Sequence, residues 1–170
     1  MGLLTTQQLE SHLWRAANIL RGSVSAADYK RFILPLIFLK RLSDRFEEEA
    51  RALESQLRAS GLSLQEAQVR AWSKEESHEF FVPQDARWVT ILHTRTDLWG
   101  ALLRAFAVLE KENPKLRGLF SAFALDSGVQ PSESVLRRLL KHFSDVRLGD
   151  RDLGNPDLMG QVYEYLLKQF

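Results

Sequence analysis

The sequence predicts an all-α fold, a helical bundle around a central, proline-kinked, buried helix. Three observations carry this. Phe32 to Leu39 are eight apolar residues in a row, one of them Pro35, and a helix apolar on every side is enclosed on every side. Apolar residues recur at helical spacing through most of the remaining chain, with capping residues before the runs and Gly or Pro after them. The 170 residues, 45% of them hydrophobic, are enough for one domain with a sizeable core. The octet is far shorter than the roughly 20 apolar residues a membrane span needs. A buried strand also suits a short apolar run, but the flanks favour helix. Ser25 with Asp28 makes a capping-box-like start. Leu42, Phe46, Ala50, Leu53 and Leu57 continue the helical spacing as far as Gly61. Pro35 lacks an N–H and crowds the carbonyl of Arg31, so a kink is expected, at about 3 kcal/mol in an ordinary helix.

Taken in order, Thr5 and Gln8 form a capping box before a helix from Thr6 to Arg21, with Leu9, Leu13, Ala16, Ala17 and Leu20 inward and Gly22 as terminator. The central helix follows. Its far half is a solvated arm with Glu47–Arg51 and Glu54–Arg58 at i,i+4 spacing. Leu53 and Leu57 form its apolar seam, read as intradomain packing or as the edge of a partner interface. Ser63 and Glu66 open a short helix to Trp72. Phe80 to Val82, before Pro83, read as extended, and a short strand or hairpin is admitted there. Helix returns from Asp85 to Leu92. Thr96 is expected to cap a helix over 97–112, stopped by Asn113-Pro114. Asp126-Ser127-Gly128 signals a loop, and a helix from Glu133 to Phe143 buries Leu136, Leu139, Leu140 and Phe143. The polar, Gly-rich segment 144–157 reads as a loop. Asn155 and Pro156 start a last helix that runs off the end at Phe170, as a piece cut from a longer protein would.

Net charge is +1, so a nucleic-acid role cannot be argued from global electrostatics. There is no cysteine, hence no disulfide framework and no thiolate metal site, which fits a cytoplasmic setting. His12, His78, His93 and His142 are scattered, without metal-ligand spacing, and are expected at the surface or partly buried. No phosphate-binding glycine loop and no nucleophile elbow occurs. Catalytic, cofactor and metal sites are therefore expected to be absent from this chain.

Four stretches together resemble the N-terminal domain of the methylation (HsdM) subunit of type I restriction-modification systems. They are LWRAANILRGSVSAADYKRFILPLIFLKRLSDRFEEE (Leu13 to Glu49), FFVPQDARW (Phe80 to Trp88), ENPKLRGLF (Glu112 to Phe120) and DLMGQVYEYLLKQF (Asp157 to Phe170). The first is long and specific; the others add support through their order and spacing. The resemblance covers nearly the whole chain. It implies that 1–170 is a single N-terminal helical domain and that a catalytic methyltransferase domain follows Phe170. That domain would carry the S-adenosylmethionine site and an Asn/Asp-Pro-Pro-aromatic tetrapeptide whose ring stacks on a flipped adenine. Asn155-Pro156-Asp157 and Asn113-Pro114-Lys115 lack the second proline and the aromatic, so no catalytic residue carries over. The parent is implied to transfer methyl from S-adenosylmethionine to the exocyclic amine of adenine. Its implied partners are a specificity subunit, a second methylation subunit, a restriction subunit and double-stranded DNA. This domain is implied to help clamp DNA and assemble the complex. The alternative is a free-standing helical protein-interaction module.

The candidate DNA or partner contacts are Arg21, Lys30, Arg31, Arg137, Arg138 and Lys141. Arg137, Arg138, Lys141 and His142 share the polar side of one predicted helix, a spacing that could align charges with a phosphate backbone, although a solvated face is the favoured reading. Arg21, Lys30 and Arg31, like Lys40, Arg41 and Arg45, either face DNA or a partner or satisfy carbonyls and acids such as Asp28 and Asp44. Trp14, Trp88, Trp99 and Tyr29 are expected in the core. Tyr163 and Tyr165 point to different sides of the last helix.

Overall fold

The computed structural model describes residues 3–74, 76, 78–123, 125, 128–154, 157, 160, 161, 164, 165 and 168. The Thr5 hydroxyl accepts from the Gln8 N–H at 3.1 Å, and Gln8 Oε1 accepts from the Thr5 N–H at 2.9 Å. This capping box opens α1, Thr6–Leu20. Gly22 then takes φ 86°, the left-handed conformation that reverses a chain after a helix.

Ser25 does not cap the central helix. Its hydroxyl donates to Asp28 Oδ2 at 3.0 Å instead of accepting from the backbone, and a 3-10 turn, Ala26–Asp28, leads into α2, Tyr29–Ala59. This helix runs unbroken through Pro35. Of the apolar octet only Phe38 is partly exposed; the other members are buried. α1, α3, α4 and α6 all pack on α2, so the enclosure read from the apolar run is the organising feature of the fold.

After Gly61 (φ 111°) the chain turns back. Ser63 forms the second predicted capping box, and α3, Leu64–Ala71, lays Ala67 and Ala71 against α2. Leu53 and Leu57 are partly buried. Glu47 and Arg51 pair at 3.0 Å. Glu54 instead accepts the Trp72 indole N–H at 3.2 Å.

Phe80 to Val82 are irregular, not a strand or hairpin. The buried Asn113 side chain does a strand's work there: its Oδ1 accepts from Phe81 N–H and its Nδ2 donates to Phe81 C=O, both at 2.8 Å. One amide thus satisfies both backbone groups of the segment. The helix expected over 85–92 is split into a 3-10 turn, Gln84–Ala86, and α4, Trp88–Leu92. Arg87 between them is extended. Its guanidinium is held over the Phe46 and Trp72 rings, 5.1 Å from each centroid, and donates to Val82 C=O at 3.1 Å.

α5, Leu98–Glu112, is capped by Asp97, not Thr96. Asp97 sits at φ 50° and its Oδ1 accepts from Gly100 N–H at 3.2 Å. A 3-10 turn follows at Pro114–Leu116, and α6, Glu133–Phe143, has the predicted bounds with Ser132 as cap. Residues 144–154 form the predicted loop. Gly160, Gln161, Glu164, Tyr165 and Lys168 are helical. The start of that helix at Asn155 and Pro156, its apolar residues and Tyr163, and Asp126-Ser127 lie outside the described residues. Among the described residues there is no sheet; Leu4–Leu153 and Arg21–Val24 form isolated bridges. No helix among them is long and apolar enough to cross a membrane.

Candidate nucleic-acid interface

α6 presents the clearest cationic face. Leu136, Leu139, Leu140 and Phe143 are buried on one side, which turns Arg138 and Lys141 outward, both exposed. Neither makes a hydrogen bond or ion pair among the described residues. Arg137, their neighbour, is engaged inside the domain. It donates to Thr94 C=O and Arg95 C=O at 2.8 Å each and meets Glu133 at 3.1 Å. It thereby satisfies carbonyls just beyond the end of α4, a structural task typical of arginine near a helix C-terminus.

The other candidates divide the same way. Arg31 donates from Nε to Phe123 C=O at 2.9 Å and lies 3.5 Å from Asp28. Arg21 is exposed and reaches Asn18 Oδ1 at 3.0 Å. Lys30 is partly exposed, without a hydrogen bond or ion pair among the described residues. Lys40, Arg41 and Arg45 turn to acids and carbonyls of the domain. Lys40 and Asp44 form an ion pair with both side chains 3% exposed. Burial pushes the Lys40 ammonium below its ordinary range, against the pull of Asp44. Arg41 donates to Leu148 C=O at 2.6 Å and to Asp150 at 2.6 Å; Arg45 pairs with Glu79 and approaches Asp150 at 3.4 Å.

Two features escape the sequence reading. His12 is buried and stacks on His142, with ring centroids 3.6 Å apart and planes within 7°. Each Nε2 donates to the other residue's backbone carbonyl at 2.7 Å. The pair welds α1 to α6 behind the cationic face. Burial, then the His142 ring, lowers the His12 pKa to about 4. His78 is partly buried, as expected, so the expectation of surface or partly buried histidines is corrected at His12. A His at i and another 130 residues on leave no spacing signal. Trp14 is the second surprise. Trp88 is buried, Trp99 packs against Phe32 and Tyr29 is buried, but Trp14 is 44% exposed on α1. α1 has turned its Leu9, Leu13, Ala16, Ala17 and Leu20 stripe inward, which leaves position 14 on the outer side.

The described residues do not fit an S-adenosylmethionine site. Among the described residues the glycines at positive φ, Gly22, Gly61, Gly118 and Gly128, stand singly at turns and form no glycine-rich loop of the kind that cradles a phosphate or cofactor. The apolar groove lined by Leu103, Phe106, Phe120 and Leu125 has one acid, Glu110, whose Oε1 already accepts from Phe120 N–H and Ser121 N–H at 3.0 and 3.3 Å. No group of acids and histidines able to hold a metal ion occurs among the described residues.

The chain is similar to known methylation subunits along most of its length. Residues 9–143 match the HsdM N-terminal domain family. The type I restriction enzyme MjaIX methylase subunit of Methanocaldococcus jannaschii is 25% identical over 97% of this chain and 31% of its own. The HindI methylase subunit of Haemophilus influenzae is 36% identical over 52% of this chain and 24% of its own. In fold, the crystal structure of a type I restriction-modification methyltransferase subunit from Streptococcus thermophilus matches 98% of this chain and 39% of that one, at TM-score 0.67 and 22% identity. The match therefore covers between about a quarter and two fifths of the length of the subunits this chain resembles. With the match running from α1 to the end of α6, this chain belongs to the HsdM N-terminal domain family.

Proposed function

We propose that this domain helps a type I restriction-modification methylation subunit close on DNA and assemble with its specificity subunit. The carrying observation is the family match over residues 9–143, which takes in the enclosed α2 and the whole of α6. The parent transfers a methyl group from S-adenosylmethionine to the exocyclic amine of adenine in double-stranded DNA, in the cytoplasm. A specificity subunit reads the sequence; a second methylation subunit and a restriction subunit complete the assembly. The catalytic domain follows Phe170. This domain alone is inactive, because methyl transfer needs a cofactor cradle and an aromatic for the flipped base, and the described residues do not fit the first.

Within this reading Arg138 and Lys141 are the foremost DNA contacts, since their charges face outward and unpaired among the described residues. Arg21 and Lys30 come next. Arg31 and Arg137 support the backbone beneath and rank behind them as contacts. The family match favours this reading over a free-standing interaction module.

The test is a methylation assay on the complete subunit with its specificity partner, using tritiated S-adenosylmethionine and duplex DNA. Label in adenine is the expected result, and no transfer by any subunit combination overturns the proposal. A salt titration of duplex binding adds the local part: phosphate contacts give a steep fall of affinity with salt.

A further inference from the structure

The polar loop after α6 ought to be loose by composition, yet it is tied down along its length. Val146 C=O accepts from Lys40 Nζ at 2.7 Å, and Leu148 N–H donates to Asp44 Oδ2 at 2.9 Å. Leu148 C=O and Asp150 are both held by Arg41 at 2.6 Å, and Arg151 N–H reaches Glu48 Oε2 at 3.3 Å. All these partners come from one short length of α2, the most enclosed element of the fold. Most are charge-assisted bonds, stronger than their neutral equivalents.

The N-terminal segment then takes over. Leu4 N–H donates to Asp152 C=O at 2.8 Å, and Leu4 C=O accepts from Gly154 N–H at 3.0 Å. The Thr6 hydroxyl donates to Gln161 Oε1 at 2.7 Å. Tyr165 packs on the core, and burial, with the Glu10 carboxylate, holds its phenol above the ordinary range. The pairings 4 with 153 and 6 with 161 rise together, so Leu153 and Gln161 lie against the N-terminal segment and the start of α1 in the same order.

A buried ion pair is a poor source of net stability, since an apolar pair of similar volume often does as well. What Lys40 and Asp44 supply is direction: each points a remaining bond at a chosen backbone atom of the loop. We infer that the α2 charges and the Leu4 bridge form a latch that fixes the direction in which the chain leaves this domain, making Lys40, Arg41 and Asp44 positioning residues for the methyl transfer that follows. The inference rests on the proposed function for its catalytic half only. Active-site alignment is sensitive to such a joint, because displacement of about 1 Å can cost on the order of a hundredfold in rate.

The test uses the absence of cysteine from the chain. Nitroxide labels go on Val69→Cys and Lys168→Cys, both exposed positions, and pulsed electron resonance reads the distance between them. Two background variants loosen the latch: Arg41→Ala, and Gly154→Val, whose Cβ would meet the Leu4 carbonyl oxygen at 2.9 Å. Circular dichroism shows which variants are folded, and Gly154→Val, at the chain's surface, serves if Arg41→Ala is not. The distance distribution is expected to broaden roughly twofold as the joint opens locally. An unchanged mean and width in a folded variant overturns the latch. In the complete subunit with its DNA-reading partner, kcat for methyl transfer is expected to fall about tenfold with the KM for S-adenosylmethionine held. A broadened distribution with unchanged kcat overturns the positioning role. If the wild-type complete subunit transfers no methyl group, the proposed function fails, while the distances still decide the latch.

Discussion

α2 and α6 carry basic clusters that look alike in sequence, Lys40-Arg41 with Arg45 and Arg137-Arg138 with Lys141, and the structure uses them in opposite ways. On α2 the charges meet Asp44, Glu79, Asp150 and the carbonyls of residues 146 and 148. Of the α6 cluster, only Arg137 finds such partners among the described residues; Arg138 and Lys141 face outward. Helical spacing is the same in both. What separates them is whether a loop returns over the helix: residues 146–151 cover α2, and nothing among the described residues pairs with Arg138 or Lys141. A basic cluster is therefore a surface only where the chain's own acids and carbonyls stay out of reach.

The largest effect should come from breaking the α2 side of this contrast. Asp44→Ala removes the partner of a buried ammonium and strands the Leu148 N–H. A loss of about 3–5 kcal/mol is expected, the range for half a buried pair removed, measured by urea denaturation at about pH 7.5. The double variant Lys40→Met, Asp44→Leu should recover much of it, because no buried charge remains. A single variant within about 1 kcal/mol of wild type would show the pair to be solvated in solution.

A smaller effect tests the joint behind α6. His12 has a folded pKa of about 4, below the ordinary 6.5, so the folded state prefers the neutral ring. The unfolded chain takes up a proton as pH falls through 6.5 and the folded protein does not until about 4. Stability from this residue is thus intact above pH 6.5 and is lost between there and pH 4, by about 3 kcal/mol at most at 1.36 kcal/mol per pKa unit. Urea midpoints for wild type and His12→Gln, compared from about pH 7.5 down to 4, should converge over that window. Parallel profiles would mean that the stack does not hold the ring neutral.

These two sites also mark where sequence legibility stops. The enclosure of Phe32 to Leu39, two capping boxes and the bounds of α6 are local or periodic facts, and all are readable. Long-range pairings are not. His12 and His142 are 130 residues apart and signal nothing until α1 and α6 pack. The extended segment at Phe81 reads as a strand in need of a partner, and it finds one in a single asparagine side chain. Asp97 takes the capping role from Thr96 by adopting a left-handed conformation that propensity disfavours in most residues. Trp14 is expected inside because tryptophan usually packs, whereas the narrower Leu and Ala stripe of α1 decides which side is buried. Of the contact candidates, all six are nameable from sequence. Which of them keep free charge depends on neighbours that sequence does not reveal.

The smallest effect on stability should accompany the most specific effect on binding. Arg138→Gln with Lys141→Gln removes exposed charges that make no hydrogen bond or ion pair among the described residues, so the unfolding free energy should change by less than about 0.5 kcal/mol. If both side chains meet phosphates in the assembled enzyme, the slope of log affinity against log salt should shrink by about 2, close to one for each phosphate no longer neutralised. Affinity should drop by the same factor on specific and random duplexes, since phosphates carry no sequence information. Arg41→Ala is the matched comparison: it removes one charge from α2 and should leave the slope unchanged, because that charge is already bound to Asp150 and Leu148. Equal slopes for wild type and the α6 double variant would move DNA binding off α6 and leave Arg21 and Lys30 as the cations to test next.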